Sequence, residues 1–301
     1  MNKIKSKSKR RTTVQKTQHT MKTNTPKTAN DLMSGLSLDF KVVDLTHDHS
    51  NTTIYWPGNP EYNFTILARG NTTGGFWYES NYFGTAEHGG THLDSPSHFY
   101  KDRHRTHNIP IENLIGPGVI INVKNKAARN ADYQVSIDDL KQWESIYNQI
   151  PEKAIVIMNS GWHERYPNAS LVFNTDSPTD SSTFHFPSWH EKTIEWLISE
   201  RSVNVIGVDT PSNDFGQSKT FPVHILLGQA NIPGAENVAN LDAVPEAGSN
   251  IFVAVTKIYD GSGGPARIFA TVPIKDTSSG CSHGLSFVLL MCALCLFIQI
   301  V

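Results

Sequence analysis

The segment Glu87-His88-Gly89-Gly90-Thr91-His92-Leu93-Asp94-Ser95-Pro96-Ser97-His98-Phe99 gathers three histidines and an aspartate around a pair of glycines. Imidazole nitrogen and carboxylate oxygen are the ligand set of Zn2+ and Mn2+ sites. A divalent cation held there generates a metal-bound hydroxide near neutral pH, so the chemistry on offer is metal-dependent hydrolysis. His88 and His92 have the spacing of a helical zinc pair, but Gly89-Gly90 and β-branched Thr91 oppose a helix and Pro96 ends any that began. Nor is this an H-E-x-x-H site, because Gly89 stands where that motif has its catalytic glutamate. The expectation is a glycine-bearing bend that brings both imidazoles together. Extended chain then follows, with His92 and Asp94 on one side.

The other histidines are read more plainly. His47 and His49 belong to a loop and His104 and His107 to a solvated surface, while His163, His185 and His190 are surface or core residues.

Strands and helices must hold this segment in place. Short β-rich runs recur at Lys41–Leu45, Phe64–Leu67, Phe76–Phe83, Val119–Val123, Ala154–Met158, Val203–Val208, Ile251–Val255 and Arg267–Val272. Ser136 followed by Asp139 opens a helix through Leu140, Trp143 and Ile146. Ser188 with Glu191 forms a capping box before Ile194, Trp196, Leu197 and Ile198. That second helix runs straight into a strand, as in a mixed α/β fold.

Composition bounds the alternatives. A chain of 301 residues with 38% hydrophobic and 18% charged residues can bury one sizeable core. A net charge of −2 supplies no field to hold nucleic acid. Cys281, Cys292 and Cys295 all lie near the C-terminus, so the domain can hold a metal only through His, Asp or Glu. Residues 1–38 form a basic arm expected to be disordered, residues 39–275 the globular domain, and residues 276–301 a small-residue linker and apolar tail. The tail, apolar from Leu285 to Val301, is a candidate glycosylphosphatidylinositol signal or tail anchor and predicts membrane association at the cell surface or elsewhere. No apolar N-terminal segment signals entry to the secretory pathway, and the sequons at Asn51, Asn63, Asn71 and Asn168 are no more than chance would supply.

The histidine segment resembles the cyclase-like, bacterial-type kynurenine formamidase family, whose signature H-x-G-T-H-x-D-x-P-x-H-F is met at every fixed position from His88 to Phe99. The likeness runs from about residue 41 to 272, through Trp56-Pro57-Gly58-Asn59, Gly207-Val208-Asp209-Thr210-Pro211-Ser212, Phe221-Pro222-Val223-His224, Glu236-Asn237 and Gly261-Ser262-Gly263-Gly264-Pro265. It implies a single β-rich mixed α/β domain of the swivelling β/β/α type. It implies that His88 and His92 bind a first metal, that Asp94 bridges two, and that His224 and Glu236 complete a second. By the same resemblance His98 is the proton donor and acceptor, and Trp56 lines the substrate pocket. Without the family, His224 could be a core strand residue and Glu236 a loop residue. Asp209, at the end of an apolar strand, is a candidate partner for a ligand imidazole. Asn59 replaces the family's aspartate and removes a charge near the pocket.

The expected reaction is amide hydrolysis with one or two Zn2+ ions or Mn2+. An arylformamidase converting N-formylkynurenine to kynurenine and formate is the first reading, with an isatin-hydrolase-like cyclic amidase or a catalytically idle metal-binding surface protein as alternatives. The expected substrate is a small aromatic amide, for which Trp56, Phe83 and Trp77 are available as aromatic walls, and a homo-oligomer such as a dimer is the expected assembly.

Overall fold

The computed structural model describes residues 40–274; the basic arm and the apolar tail lie outside the described residues. The strands in chain order are β1 (Phe40–Asp44), β2 (Asn63–Asn71), β3 (Trp77–Gly84), β4 (His92–Asp94), β5 (Ile115–Asn122), β6 (Gln134–Val135), β7 (Ile155–Asn159), β8 (Ser188–Trp189), β9 (Val205–Val208), β10 (Gly234–Glu236), β11 (Ser249–Val255) and β12 (Gly263–Pro273). The longer helices are α1 (Ile137–Tyr147), α2 (Glu191–Glu200) and α3 (Pro222–Ala230).

Hydrogen bonds join β12, β11, β5, β7, β9, β10 and β4 in that order, and β4 returns to β12. The result is a closed barrel, with β1 added along the C-terminal half of β12. From β5 through β7 and β9 to β10 the strands are parallel; the other barrel pairings are antiparallel. Closure leaves the short strands β4 and β10 no free edge.

Alternation along each strand separates two cores. Ile120, Ile155, Ile157, Val205, Ile251 and Ile268 share one buried cluster with Leu93 and Ala235, enclosed by the barrel. Val119, Ile121, Val156, Met158, Ile206 and Val208 face the other way and meet Leu140 and Trp143 of α1, Ile194 and Leu197 of α2, and Val223 and Leu227 of α3. Burying each such side chain contributes roughly 1.5–3 kcal/mol, so these helices are held by one apolar face each. The fold is a β-rich mixed α/β domain, in agreement with the expected class.

All the expected strands and both expected helices are present. The Ser136 cap is as read: its backbone N–H donates to Asp139 Oδ2 at 2.7 Å, and Asp139 N–H donates back to Ser136 Oγ at 3.4 Å. Ser188 is a correction. It is buried in β8, and the residue that caps α2 is His190, whose Nδ1 accepts from Lys192 N–H at 3.2 Å. The helix α3 is another, because its apolar Pro-Val start reads equally well as a strand.

No helix of the described residues is long and apolar enough to cross a membrane. The expected membrane association, lipid-anchored or spanning, and the cell-surface location drawn from it are therefore withdrawn. α1 and α2 each turn one apolar face to the barrel and a polar face outward, and α3, apolar almost throughout, is only nine residues long. The tail that prompted the idea lies outside the described residues.

Candidate metal centre

The bend before β4 depends on both glycines. A Cβ on Gly89 would run into the Tyr55 ring, and Gly90 adopts a left-handed φ of +55°. Extended chain follows. Leu93 points into the barrel, so His92 and Asp94 must point out of it. Antiparallel pairing sets Glu236 of β10 directly opposite His92, on the same outer face. On the other side of β4, Gly263 stands opposite Asp94, and a side chain there would overlap the His88 ring.

His224 arrives from α3, which packs over this outer face. Phe221 takes a left-handed φ of +47°, and Pro222 then starts the helix without an orphaned N–H. Asp214 caps it, accepting from Val223 N–H at 3.0 Å and His224 N–H at 3.1 Å. The bend, two strands and a helix therefore bring together every residue expected to bind metal.

Asp94 is at the centre. Its Oδ1 lies 2.6 Å from His88 Nδ1 and 3.1 Å from His92 Nε2, while Oδ2 lies 3.2 Å from His224 Nε2. Glu236 reaches His224 Nε2 at 3.1 Å through Oε1 and His92 Nε2 at 3.5 Å through Oε2. The side chains His88, His92 and Asp94 form one group able to hold a cation, and Asp94, His224 and Glu236 a second.

Each imidazole has its outward nitrogen occupied. His92 Nδ1 faces Gly90 O at 2.9 Å, His224 Nδ1 faces Asp214 Oδ2 at 2.6 Å, and His88 Nε2 faces Ser262 Oγ at 2.9 Å. Ser262 Oγ in turn donates to Glu87 Oε2 at 2.7 Å. Such partners select the tautomer that leaves the inward nitrogen free to bind metal. Asp209, expected in this role, does not reach a ligand. It accepts from Ser160 and Trp162 backbone N–H and faces His163 Nδ1 at 3.3 Å, anchoring the chain that follows β7. Asp214 was missed, although its short spacing before His224 was visible in the sequence.

Two buried carboxylates meet here, yet neither Lys nor Arg lines the cavity. An uncompensated buried negative charge is costly, so this donor set suits a divalent cation. The imidazoles show the same need. Burial pulls His92 down, but the hydrogen bond and charge of Asp94, then Glu236 and Gly90 O, raise it to about 9. His224 is likewise raised well above the ordinary range, its burial outweighed by Asp214, Asp94 and Glu236. Asp94 is held well below the usual carboxylate range, burial notwithstanding, by His98, His88 and His224.

His98 ends a single helical turn, Pro96–His98, and stacks on His88 with ring centroids 3.8 Å apart. It belongs to neither ligand group and stays open to the cavity. Packing on its other sides desolvates it; against the pull of Asp94, and with His88, His224 and His92 adding, this pushes it down to about 4. A neutral, unligated imidazole thus sits beside the candidate cation sites.

The cavity above has a volume of about 230 Å³ and is walled by Trp56, Tyr55, Phe99, Phe221 and Asn59. Trp56 is fixed edge-on by Phe184 at 5.2 Å and Phe173 at 6.2 Å. Trp77 and Phe83 do not contribute. Both lie on β3, about 59% exposed and away from the cavity. His104 and His107 are half-buried rather than fully solvated, and His163 is buried against Asp209.

Known proteins resemble this chain in sequence and in fold. A family model described as putative cyclase matches residues 43–215. An isatin hydrolase of Roseibium aggregatum is 31% identical over 208 residues, covering 66% of this chain and 77% of that protein. A kynurenine formamidase of Bacillus cereus is 24% identical over 226 residues, covering 75% of this chain and 94% of its own length. The crystal structure of an isatin hydrolase bound to the product analogue thioisatinate superposes with a TM-score of 0.72 at 28% identity, over 81% of this chain and 99% of that one. Isatin hydrolase A from Ralstonia solanacearum gives 0.73 at 31% identity, over 84% and 100%. The chain belongs to the putative cyclase family and is a metal-dependent hydrolase acting on amide carbon–nitrogen bonds.

Proposed function

We propose that the chain hydrolyses a small, uncharged aryl amide, with a strained cyclic amide of the isatin kind as its preferred substrate. The cavity wall carries this choice. It is aromatic, has no Lys or Arg, and presents Asn59 where the family pattern has aspartate. N-formylkynurenine bears both an ammonium and a carboxylate, and desolvating them unpaired would cost several kcal/mol. A flat, neutral bicyclic amide needs no such partners and can lie against Trp56. The likeness to isatin hydrolases supports the same reading.

His88, His92 and Asp94 would hold one cation, and Asp94, His224 and Glu236 a second, Asp94 serving both. Zn2+ and Mn2+ suit these imidazole and carboxylate donors, which include no thiolate. When bound, the metal lowers the pKa of its water from about 15.7 toward 7 and polarises the amide carbonyl. The protein's own groups do the rest. Trp56 orients the aryl plane, and Phe99 and Phe221 exclude bulk water. A ring nitrogen of His98 takes a proton released by water as its oxygen bonds to the carbonyl carbon. It returns that proton to the departing nitrogen as the carbon–nitrogen bond breaks, leaving a carboxylate and an aryl amine.

Steady-state turnover of isatin, formanilide and N-formylkynurenine by the Zn2+- and Mn2+-loaded chain tests the reading. The expected order puts isatin first, with kcat/KM at least about tenfold above N-formylkynurenine. The reverse order would make the chain an arylformamidase. Bound metal without turnover of any of the three would leave a catalytically idle metal-binding protein.

A further inference from the structure

Asn213 and Asp214 are neighbours on the loop that joins β9 to α3, and each holds a different ligand of the second candidate cation site. Asp214 Oδ2 faces His224 Nδ1 at 2.6 Å. Asn213 holds Glu236 instead. Its backbone N–H donates to Glu236 Oε1 at 2.8 Å, and its side-chain Nδ2–H donates to the same oxygen at 3.1 Å. The residue is wholly buried, and its carbonyl accepts from Trp189 N–H at 3.2 Å, which ties the loop to β8. On β10, Gly234 leaves room for the amide, because a Cβ there would come within 3.0 Å of Asn213 Nδ2.

This arrangement carries a penalty. Asn213 Oδ1 is buried without a hydrogen-bond partner, a loss of hydration that an aliphatic side chain of similar size would avoid. Turning the amide over gives no relief, since Oδ1 would then face Oε1, acceptor on acceptor. Nor does Asn213 line the cavity, so it does not touch a substrate there. What the amide supplies is a second donor to one oxygen of Glu236. Two donors converging on one carboxylate oxygen use both of its lone pairs and fix the rotation of the group. Oε2 is thereby held 3.5 Å from His92 Nε2, on the side of the sheet that His92 and Glu236 share.

Given the cation sites proposed above, we propose that Asn213 is a positioning residue of the second one, acting through Glu236 by holding its carboxylate turned toward the cation before it binds. An outer partner of this kind is worth about 10- to 100-fold in metal affinity. Asn213 and Asp214 act as a pair. One two-residue segment sets both side chains that complete the site with Asp94, so its strength is governed from the β9–α3 loop.

Calorimetric titration of the full chain with Zn2+ tests this role. Asn213→Leu keeps the bulk and removes the donor; Asn213→Ala removes the donor without crowding its neighbours. Either variant is expected to weaken one of two binding events by at least about tenfold and to leave the other at wild-type affinity. In a Glu236→Ala background Asn213→Leu should cause no further loss, whereas a side chain that only supports the fold would add its own. The wild type provides a check that needs no variant to fold. The nuclear magnetic resonance signals of the Asn213 side-chain amide should shift as Zn2+ fills that event. Wild-type affinity at both events in both variants, a loss fully additive with Glu236→Ala, or an amide signal indifferent to Zn2+ would each overturn the role of Asn213. A wild type that takes up no Zn2+ would instead remove the cation sites themselves, and the role of Asn213 with them.

Discussion

Glu236 stands directly across the β4–β10 pairing from His92, and its Oε2 lies 3.5 Å from His92 Nε2. The sheet itself thus delivers a second carboxylate to the face that carries His92 and Asp94. Glu236→Ala leaves His224 and Asp94 as a two-ligand site. Calorimetric titration with Zn2+ should show one of two binding events weakened by at least about 100-fold. Two events of wild-type affinity would remove Glu236 from the ligand set.

His98 belongs to neither ligand group, so its loss should spare the metal. His98→Ala is expected to lower kcat by roughly 100- to 10,000-fold while metal content by elemental analysis stays at the wild-type level. Full turnover with metal bound would mean that another group moves the proton.

Ser262 links Glu87 to the outward nitrogen of His88, and Glu87 also accepts from the Ser262 and Gly263 backbone N–H at 2.9 Å and 3.2 Å. Glu87→Ala should lower metal affinity by about tenfold, and Glu87→Gln, which still has an acceptor oxygen, by less. Equal affinities measured by chelator competition in all three proteins would show that this chain of contacts does not orient His88.

Metal and protons compete for the same imidazoles. Without a cation His92 is raised to about 9, so at neutral pH the metal must displace its proton. Apparent affinity should rise with pH through the interval from neutral to about 9, with proton release during titration. Affinity independent of pH between 6 and 9 would contradict this.

His47 stacks on Tyr166 with centroids 3.9 Å apart, and burial, aided by His163 and opposed by Asp209 and Asp48, lowers it from 6.5 to about 4. The fold therefore keeps it neutral while the unfolded chain protonates it below 6.5. Its contribution is complete above 6.5 and is lost as pH falls toward 4, by roughly 2 kcal/mol once partial exposure is discounted. Chemical denaturation of His47→Gln should show a shallower loss of stability across that interval than the wild type. Parallel curves would place the titration elsewhere.

Several of these groups were legible in the chain and several were not. The bend at Gly89-Gly90 and the shared side of His92 and Asp94 follow from glycine's freedom and strand alternation, both local. Apolar runs announced the long strands for the same reason. The strands β4 and β10 are short and polar, and only their neighbours' hydrogen bonds make them strands. Asp209 looked like an imidazole partner because of its position after an apolar run, but the loop after β7 claims its oxygens. Trp77 and Phe83 were read as pocket walls because aromatic character carries no information about which way a hairpin projects.

By itself the sequence determined the ligand types, the bend that joins them and the class of fold, because each depends on residues close together in the chain. Tertiary structure alone decided that Glu236 faces His92, that α3 brings His224 to Asp94, and that Asp214 rather than Asp209 orients it. Those relations depend on strand register and helix packing between distant segments, where closing the barrel, not any local preference, selects the neighbours.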